Sequence, residues 1–278
     1  MGRTDARLDG LLPSQVMSRN DSLVSLFGLT GQVAVVIGGG GHLCSAMARG
    51  LAQAGASVAV LDVRSEKAER VAADIHAATS VSTMALGVNV TSKGSLEDAL
   101  ESILKSYGRV DILVNGAGIN APTPFLEINL DDWQSVMDSQ ITGTMLACQV
   151  FGSQMLHQVS GSIINISSAS AGPPLSKAFA YSVAKAGIRN LTMNLVREWA
   201  TQGVRVNAIR PGFFPTEWNR TNFITPDREQ SILKHTPMAR YGQPSELIGA
   251  TIWLASSSSS FVTGSEIAVD GGFSCMSI

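Results

Sequence analysis

From residue 33 onward, short apolar runs alternate with stretches of helical period. The run VAVVI at 33–37 is apolar at every position. It is followed by a helical pattern over 42–54 that stops at Gly55. The same pairing predicts strands at 57–62, 83–90, 110–115, 162–167, 204–209 and 265–269. It predicts helices at 65–78, 92–107, about 131–157, 179–201 and 244–255. Strands apolar on both faces and separated by helices belong in a parallel sheet covered on both sides. Right-handed crossovers then give one α/β domain over 28–278, a doubly wound sheet of about seven parallel strands. Residues 1–27 are polar and aperiodic, which predicts a partly disordered N-terminal arm. The run Ser256–Ser260 just past a helix reads as a loop.

Composition narrows the function class. A chain of 278 residues, 45% hydrophobic, buries a sizeable core. A net charge of −2 offers no electrostatic footprint for nucleic acid. No apolar run is long enough to cross a bilayer, and the N-terminus, mixing Asp with Arg, does not read as a secretory signal. Cys44, Cys148 and Cys275 lie too far apart for a disulfide framework or a zinc site. The expectation is a cytoplasmic protein that acts on a small molecule, with no metal, nucleic acid or membrane partner.

The chemistry begins at VVIGGGGHLC, residues 35–44. Glycines between a strand and a helix let the backbone approach a pyrophosphate, which then rests on the helix N-terminus. Gly39-x-Gly41-x-x-Cys44 fits the dinucleotide spacing except at its last position. Asp62 ends the second predicted strand, where a carboxylate accepts the ribose hydroxyls of NAD and repels a 2′-phosphate. This favours NAD over NADP, although Arg64 softens the repulsion. His42 faces the helix start and reads as solvated.

Farther along, YSVAK places Tyr181 and Lys185 four residues apart on one helix face. Ser168 ends the strand INISS, NGAG (115–118) ends the fourth strand, and PGFFPT (211–216) follows the sixth. All lie at the carboxyl edge of the sheet, where ligands bind in open α/β folds. With VDGG at 269–272, this combination resembles the short-chain dehydrogenase/reductase family over residues 27–278. The phrases AGPPLS, PGFFPTEWNR, HTPMAR and VDGGFSCMSI are similar to its D-mannonate oxidoreductase (fructuronate reductase) type.

The resemblance implies a single-domain Rossmann-like fold and an NAD-dependent interconversion of secondary alcohol and ketone, assembled as a homotetramer or homodimer. It makes Tyr181 the acid/base, Lys185 the ammonium that favours phenolate and binds the nicotinamide ribose, and Ser168 the donor to the oxyanion. Thr216 is implied to hold the carboxamide. The other implied cofactor contacts are Gly38, Gly40, Gly41, His42, Leu43, Asp62, Val63, Asn89, Val90, Asn115, Gly116, Ala117, Pro211, Gly212 and Phe214.

The chain departs from the family loop TGxxxGxG at Ile37, His42 and Cys44. Since the third glycine serves close helix–strand packing, Cys44 is expected to weaken cofactor binding without abolishing it. Gln140, seven residues after Trp133, stands where the family commonly has a fourth catalytic Asn. Either it does the same job on a longer stem or the helix runs straighter here. Asn89 stands where many members carry Asp. Substrate candidates are Asn120, Ser170, Pro173, Phe179, Phe213, Trp218, Asn219 and Arg220; the aromatics can equally well cap the sheet edge. Arg220 suits a carboxylate, favouring a sugar acid, with a polyol also in range. Two alternatives stand beside this reading: the same chemistry on a 3-ketoacyl or aromatic alcohol substrate, and a non-catalytic nucleotide-binding protein on the same fold.

Overall fold

The computed structural model describes residues 19–172, 175, 178–216 and 224–276. Its strands are β1 (Val33–Ile37), β2 (Ser57–Asp62), β3 (Thr83–Gly87), β4 (Ile112–Asn115), β5 (Gly161–Ile166), β6 (Val204–Pro211) and β7 (Glu266–Val269). They form one seven-stranded sheet in the order β3-β2-β1-β4-β5-β6-β7, with every neighbouring pair parallel. Strand order reverses between β1 and β4, so a crevice opens beyond their carboxyl ends.

The helices are α1 (Arg19–Phe27), α2 (His42–Gln53), α3 (Ser65–Thr79), α4 (Lys93–Tyr107), α5 (Leu130–Met137), α6 (Gly143–His157), α7 (Phe179–Trp199), α8 (Pro226–His235) and α9 (Ile248–Ala255). Alternation along β1 divides its side chains between two cores. Ala34 and Val36 meet Met47, Leu51 and Ile75 on the side of α2 and α3. Val33, Val35 and Ile37 meet Leu96, Ile103 and Phe151 on the side of α4 and α6. A sheet buried on both faces holds its carboxyl edge rigid, and the loops along that edge inherit this precision.

Several expectations need correction. The 19–27 part of the supposed arm is helix α1, held to the body where Ser257 Oγ donates to the carbonyls of Ser25 and Leu26. β3 stops at Gly87, three residues short of Val90, and β5 stops at Ile166, two residues before Ser168. The helix expected over 131–157 is split by a π-helical turn, Asp138–Thr142, between α5 and α6. Within Ser256–Ser260, Ser257–Ser259 forms a short 3-10 turn.

Candidate active site

The glycine loop is drawn tight by its neighbours. Gly38 has φ +75°, and a Cβ there would come 2.8 Å from Ala117 N. A Cβ on Gly40 would lie 2.8 Å from Asp62 Oδ2. Both positions need glycine because backbone or carboxylate already occupies the space a side chain would take. Helix α2 then starts from Gly41 with no side-chain cap and no acid in its first turn. By contrast Ser92, Asn129 and Thr225 cap α4, α5 and α8. A bare helix N-terminus under a loop without side chains suits a pyrophosphate.

Asp62 is only 7% exposed at the end of β2. It accepts from Gly40 N at 3.1 Å and from Arg64 N at 3.0 Å, and Arg64 Nε stands 3.8 Å away. These backbone donors fix the carboxylate at the mouth of the cradle. His42 is exposed and Leu43 is half-buried. The Val63 side chain is 71% exposed, so only its backbone borders the loop.

Cys44 resolves differently from a helix pushed off the sheet. Its buried thiol lies against Gly116, where a Cβ would overlap Sγ outright. The volume lost at the third glycine position is thus recovered at 116. Burial pushes the Cys44 thiol up to about 12, so it stays protonated.

On the other side of the crevice, α7 carries Tyr181 and Lys185 one turn apart. Lys185, 4% exposed, donates to the carbonyl of Ile166 at 2.6 Å, and its ammonium sits 5.5 Å from the Tyr181 ring centre. Burial lowers the Lys185 pKa to about 8. Ser168 caps the 3-10 turn Ala169–Ala171, and its hydroxyl lies near enough to Tyr181 to work against the effect of burial on the phenol. Its Oγ also accepts from Ser170 N at 3.2 Å and Ser170 Oγ at 3.0 Å. The expected lowering of the Tyr181 pKa is not what the geometry gives. Burial raises it, and the Ser168 hydroxyl pulls part of that back. The arrangement holds a protonated phenol beside a hydroxyl and over a buried cation. It can deliver a proton to an oxygen placed between them.

The π-helical turn carries Gln140, which is buried; the helix is therefore not straighter here. Gln140 Nε2 donates to Ile119 O at 2.9 Å, while its Oε1 is buried without a partner. Gly118, with φ +151°, leaves room for the longer stem, since a Cβ there would overlap the Gln140 amide. Gln140 bonds the loop after β4 and makes no hydrogen bond to Lys185.

The remaining candidates divide. Val90, Asn115 and Ala117 line a small cavity with Ile37 and Gly143. The Asn115 side chain turns toward the neighbouring strand and donates to Asn165 Oδ1 at 2.9 Å. Asn89 Oδ1 accepts from Thr91 N and Thr91 Oγ1, an Asx turn. Pro211 ends β6, Gly212, Phe214 and Thr216 follow it, and Phe214 packs on Gly242. Phe213 pairs edge-on with Phe273 at 5.1 Å, and Phe179 with Phe125 at 5.2 Å. Asn120 is exposed, whereas Ser170 is buried against Ser168. Pro173, Trp218, Asn219 and Arg220 lie outside the described residues. Sequence reasoning missed Gly118 and the Ile119 carbonyl, both of which a longer side chain at 140 requires; the only signal was that extra length.

Known proteins resemble this chain in sequence and in fold. A family model described as enoyl-(acyl carrier protein) reductase matches residues 43–274. An oxidoreductase named UxuB from Bacillus subtilis (strain 168) is 43% identical over 266 residues, covering 88% of this chain and 95% of the relative. D-Threitol dehydrogenase of Mycolicibacterium smegmatis is 33% identical over 247 residues, covering 89% and 94%. The crystal structure of a gluconate 5-dehydrogenase from Burkholderia cenocepacia, in complex with NADP and tartrate, superposes with a TM-score of 0.87 at 32% identity, covering 92% of this chain and 100% of that one. The chain belongs to the short-chain dehydrogenase/reductase family and is an oxidoreductase acting on CH–OH groups.

Proposed function

We propose that this protein interconverts a secondary alcohol and a ketone on a sugar acid or polyol, using NAD(H). The observation that carries the reading is the convergence of Ser168, Tyr181 and Lys185 beside a glycine cradle closed by Asp62. The cradle, the uncapped α2 N-terminus and the loop 211–216 would hold the dinucleotide. When bound, it supplies or accepts a hydride. Tyr181 gives the proton to the substrate oxygen in reduction and takes it in oxidation. Its raised pKa keeps that proton in place at neutral pH, which suits ketone reduction. Ser168 donates to the oxygen as negative charge builds on it. Lys185 keeps a buried positive charge under the ring.

Asp62 supports NAD: its carboxylate is already fixed by two backbone donors and would face a 2′-phosphate directly. The NADP in the gluconate 5-dehydrogenase complex belongs to that protein. The relatives named for threitol and gluconate support small polyhydroxy substrates. The D-mannonate/fructuronate pair is one member of that class. A panel of sugar acids, polyols and a 3-ketoacyl thioester, each with NAD(H) and NADP(H), tests the reading through absorbance of the reduced nicotinamide. Turnover of polyhydroxy substrates with NAD supports it. Turnover of the thioester alone, or with NADP alone, refutes the substrate or the cofactor assignment.

A further inference from the structure

Glu266 begins β7 with a side chain only 10% exposed, an unusual place for a carboxylate. It faces three elements. Its Oε1 accepts from Ser167 Oγ at 2.7 Å. Its Oε2 stands 3.1 Å from Arg210 Nη1 and 3.6 Å from Arg189 Nε. Each partner adjoins a part of the proposed site. Ser167 directly precedes Ser168. Arg189 lies one turn beyond Lys185 and two beyond Tyr181 on α7. Arg210 directly precedes the 211–216 loop.

We infer that Glu266 is a positioning residue, which locks the Ser168 turn in register with α7 and with the start of the 211–216 loop. The inference rests on the catalytic reading of Ser168, Tyr181 and Lys185. The physical argument concerns the end of β5. The strand stops at Ile166, so Ser167 and Ser168 lie beyond the ladder. Beyond it, Ser167 N still donates to Ile209 O at 2.8 Å, while on its far side Ser168 is held by its own turn, its carbonyl accepting from Ala171 N at 2.9 Å. Neighbouring residues in extended backbone project to opposite faces, and Ser168 is extended (φ −160°, ψ 155°). A short charge-assisted bond on Ser167 therefore fixes the orientation of Ser168 from the face away from substrate. The two arginines hold the carboxylate in place and tie it to the helix and the loop.

The test is a double-mutant cycle on Ser167→Ala and Glu266→Ala, with Glu266→Gln as the conservative variant that keeps an acceptor for Ser167. Each alanine variant is expected to lower kcat about ten-fold by misplacing Ser168. KM should stay within about two-fold in both variants, and NADH affinity should do so in Ser167→Ala, which removes no contact to substrate or to the 211–216 loop. The double variant should be no worse than Glu266→Ala, and Glu266→Gln should recover most of kcat. Hydrogen exchange of the backbone amides of 167–171 should accelerate in both alanine variants. Exchange needs no turnover, so it decides this inference even if the wild type proves inactive on every substrate, an outcome that would sink the catalytic reading instead. If Glu266→Ala does not fold, Ser167→Ala carries the test through both readouts. An unchanged kcat in Ser167→Ala, losses that multiply in the double variant, or unaccelerated exchange would each overturn the inference.

Discussion

Gly116→Ala puts the packing beneath the cofactor loop to a direct test. A methyl at 116 would overlap Cys44 Sγ and come 3.3 Å from Ile166 Cγ1 and 3.6 Å from Ile37 O. The thiol has nowhere to retreat, because it is buried at the start of α2. Overpacking of this kind costs about 1–3 kcal/mol. For a domain of this size, each kcal/mol corresponds to roughly 2–4 °C in Tm, so a fall of about 2–12 °C is expected. Cys44→Ala removes only the sulfur and costs about 1 kcal/mol, the scale of one buried methylene. In that background Gly116→Ala should be nearly free, which gives a favourable coupling of about 1–3 kcal/mol. Thermal unfolding of the four proteins by circular dichroism reads the cycle. A Tm unchanged by Gly116→Ala, or lowered equally in both backgrounds, would refute the claim that Gly116 makes the room Cys44 occupies. An NADH titration of Cys44→Gly tests the sequence expectation that the thiol costs affinity: with its volume already recovered at 116, affinity should stay within about two-fold.

Other perturbations separate the remaining parts of the account. Asp62→Ala should reduce the preference for NAD over NADP about ten-fold or more by removing the charge that faces a 2′-phosphate; an unchanged ratio of kcat/KM values would contradict that role. Lys185 titrates near 8 in the folded protein, below its ordinary 10.5, because burial disfavours the ammonium. Between those values the unfolded chain binds more protons, so stability relative to Lys185→Met rises with pH across the window, by about 3 kcal/mol in all. Below pH 8 the burial penalty is present in full; urea unfolding of both proteins from pH 7 to 10.5 measures the slope, and a flat difference would refute the shift. Iodoacetamide on the native protein should modify Cys275, which is exposed, and spare Cys44 and Cys148, whose thiols burial pushes up to about 12. A mass spectrum with two or more adducts before unfolding would contradict that burial.

What was legible in the sequence was whatever repeats with a short period or sits at a strand end. β1 and β2 were readable to the residue because VAVVI is apolar throughout and the apolar run VAVL of β2 is bounded by the polar Ser57 and Asp62. Helix period alone put Tyr181 and Lys185 on one face, while the roles of both, and of Ser168 two residues past β5, came from the resemblance. Helix α1 was not, since Leu23, Val24 and Leu26 stay exposed and no buried stripe marks it. The π-helical turn has no pattern of its own; one extra residue in a turn leaves apolar spacing intact on both sides. Asn115 was read as a cofactor contact because it ends β4, while the partner of its side chain, Asn165, comes from the neighbouring strand. Glu266 gave no signal, because a charge opening a strand usually faces water. Only the fold brings it to Ser167 and two arginines.

The central claim is that Tyr181 moves the proton while the dinucleotide is held independently of it. Comparing wild type with Tyr181→Phe on a substrate from the polyhydroxy panel tests it most directly, with NADH binding followed by fluorescence in the same samples. The account predicts that kcat falls by about 10²–10⁴, the usual worth of a positioned acid/base, while NADH affinity is retained. Turnover that survives the loss of the Tyr181 hydroxyl would contradict it.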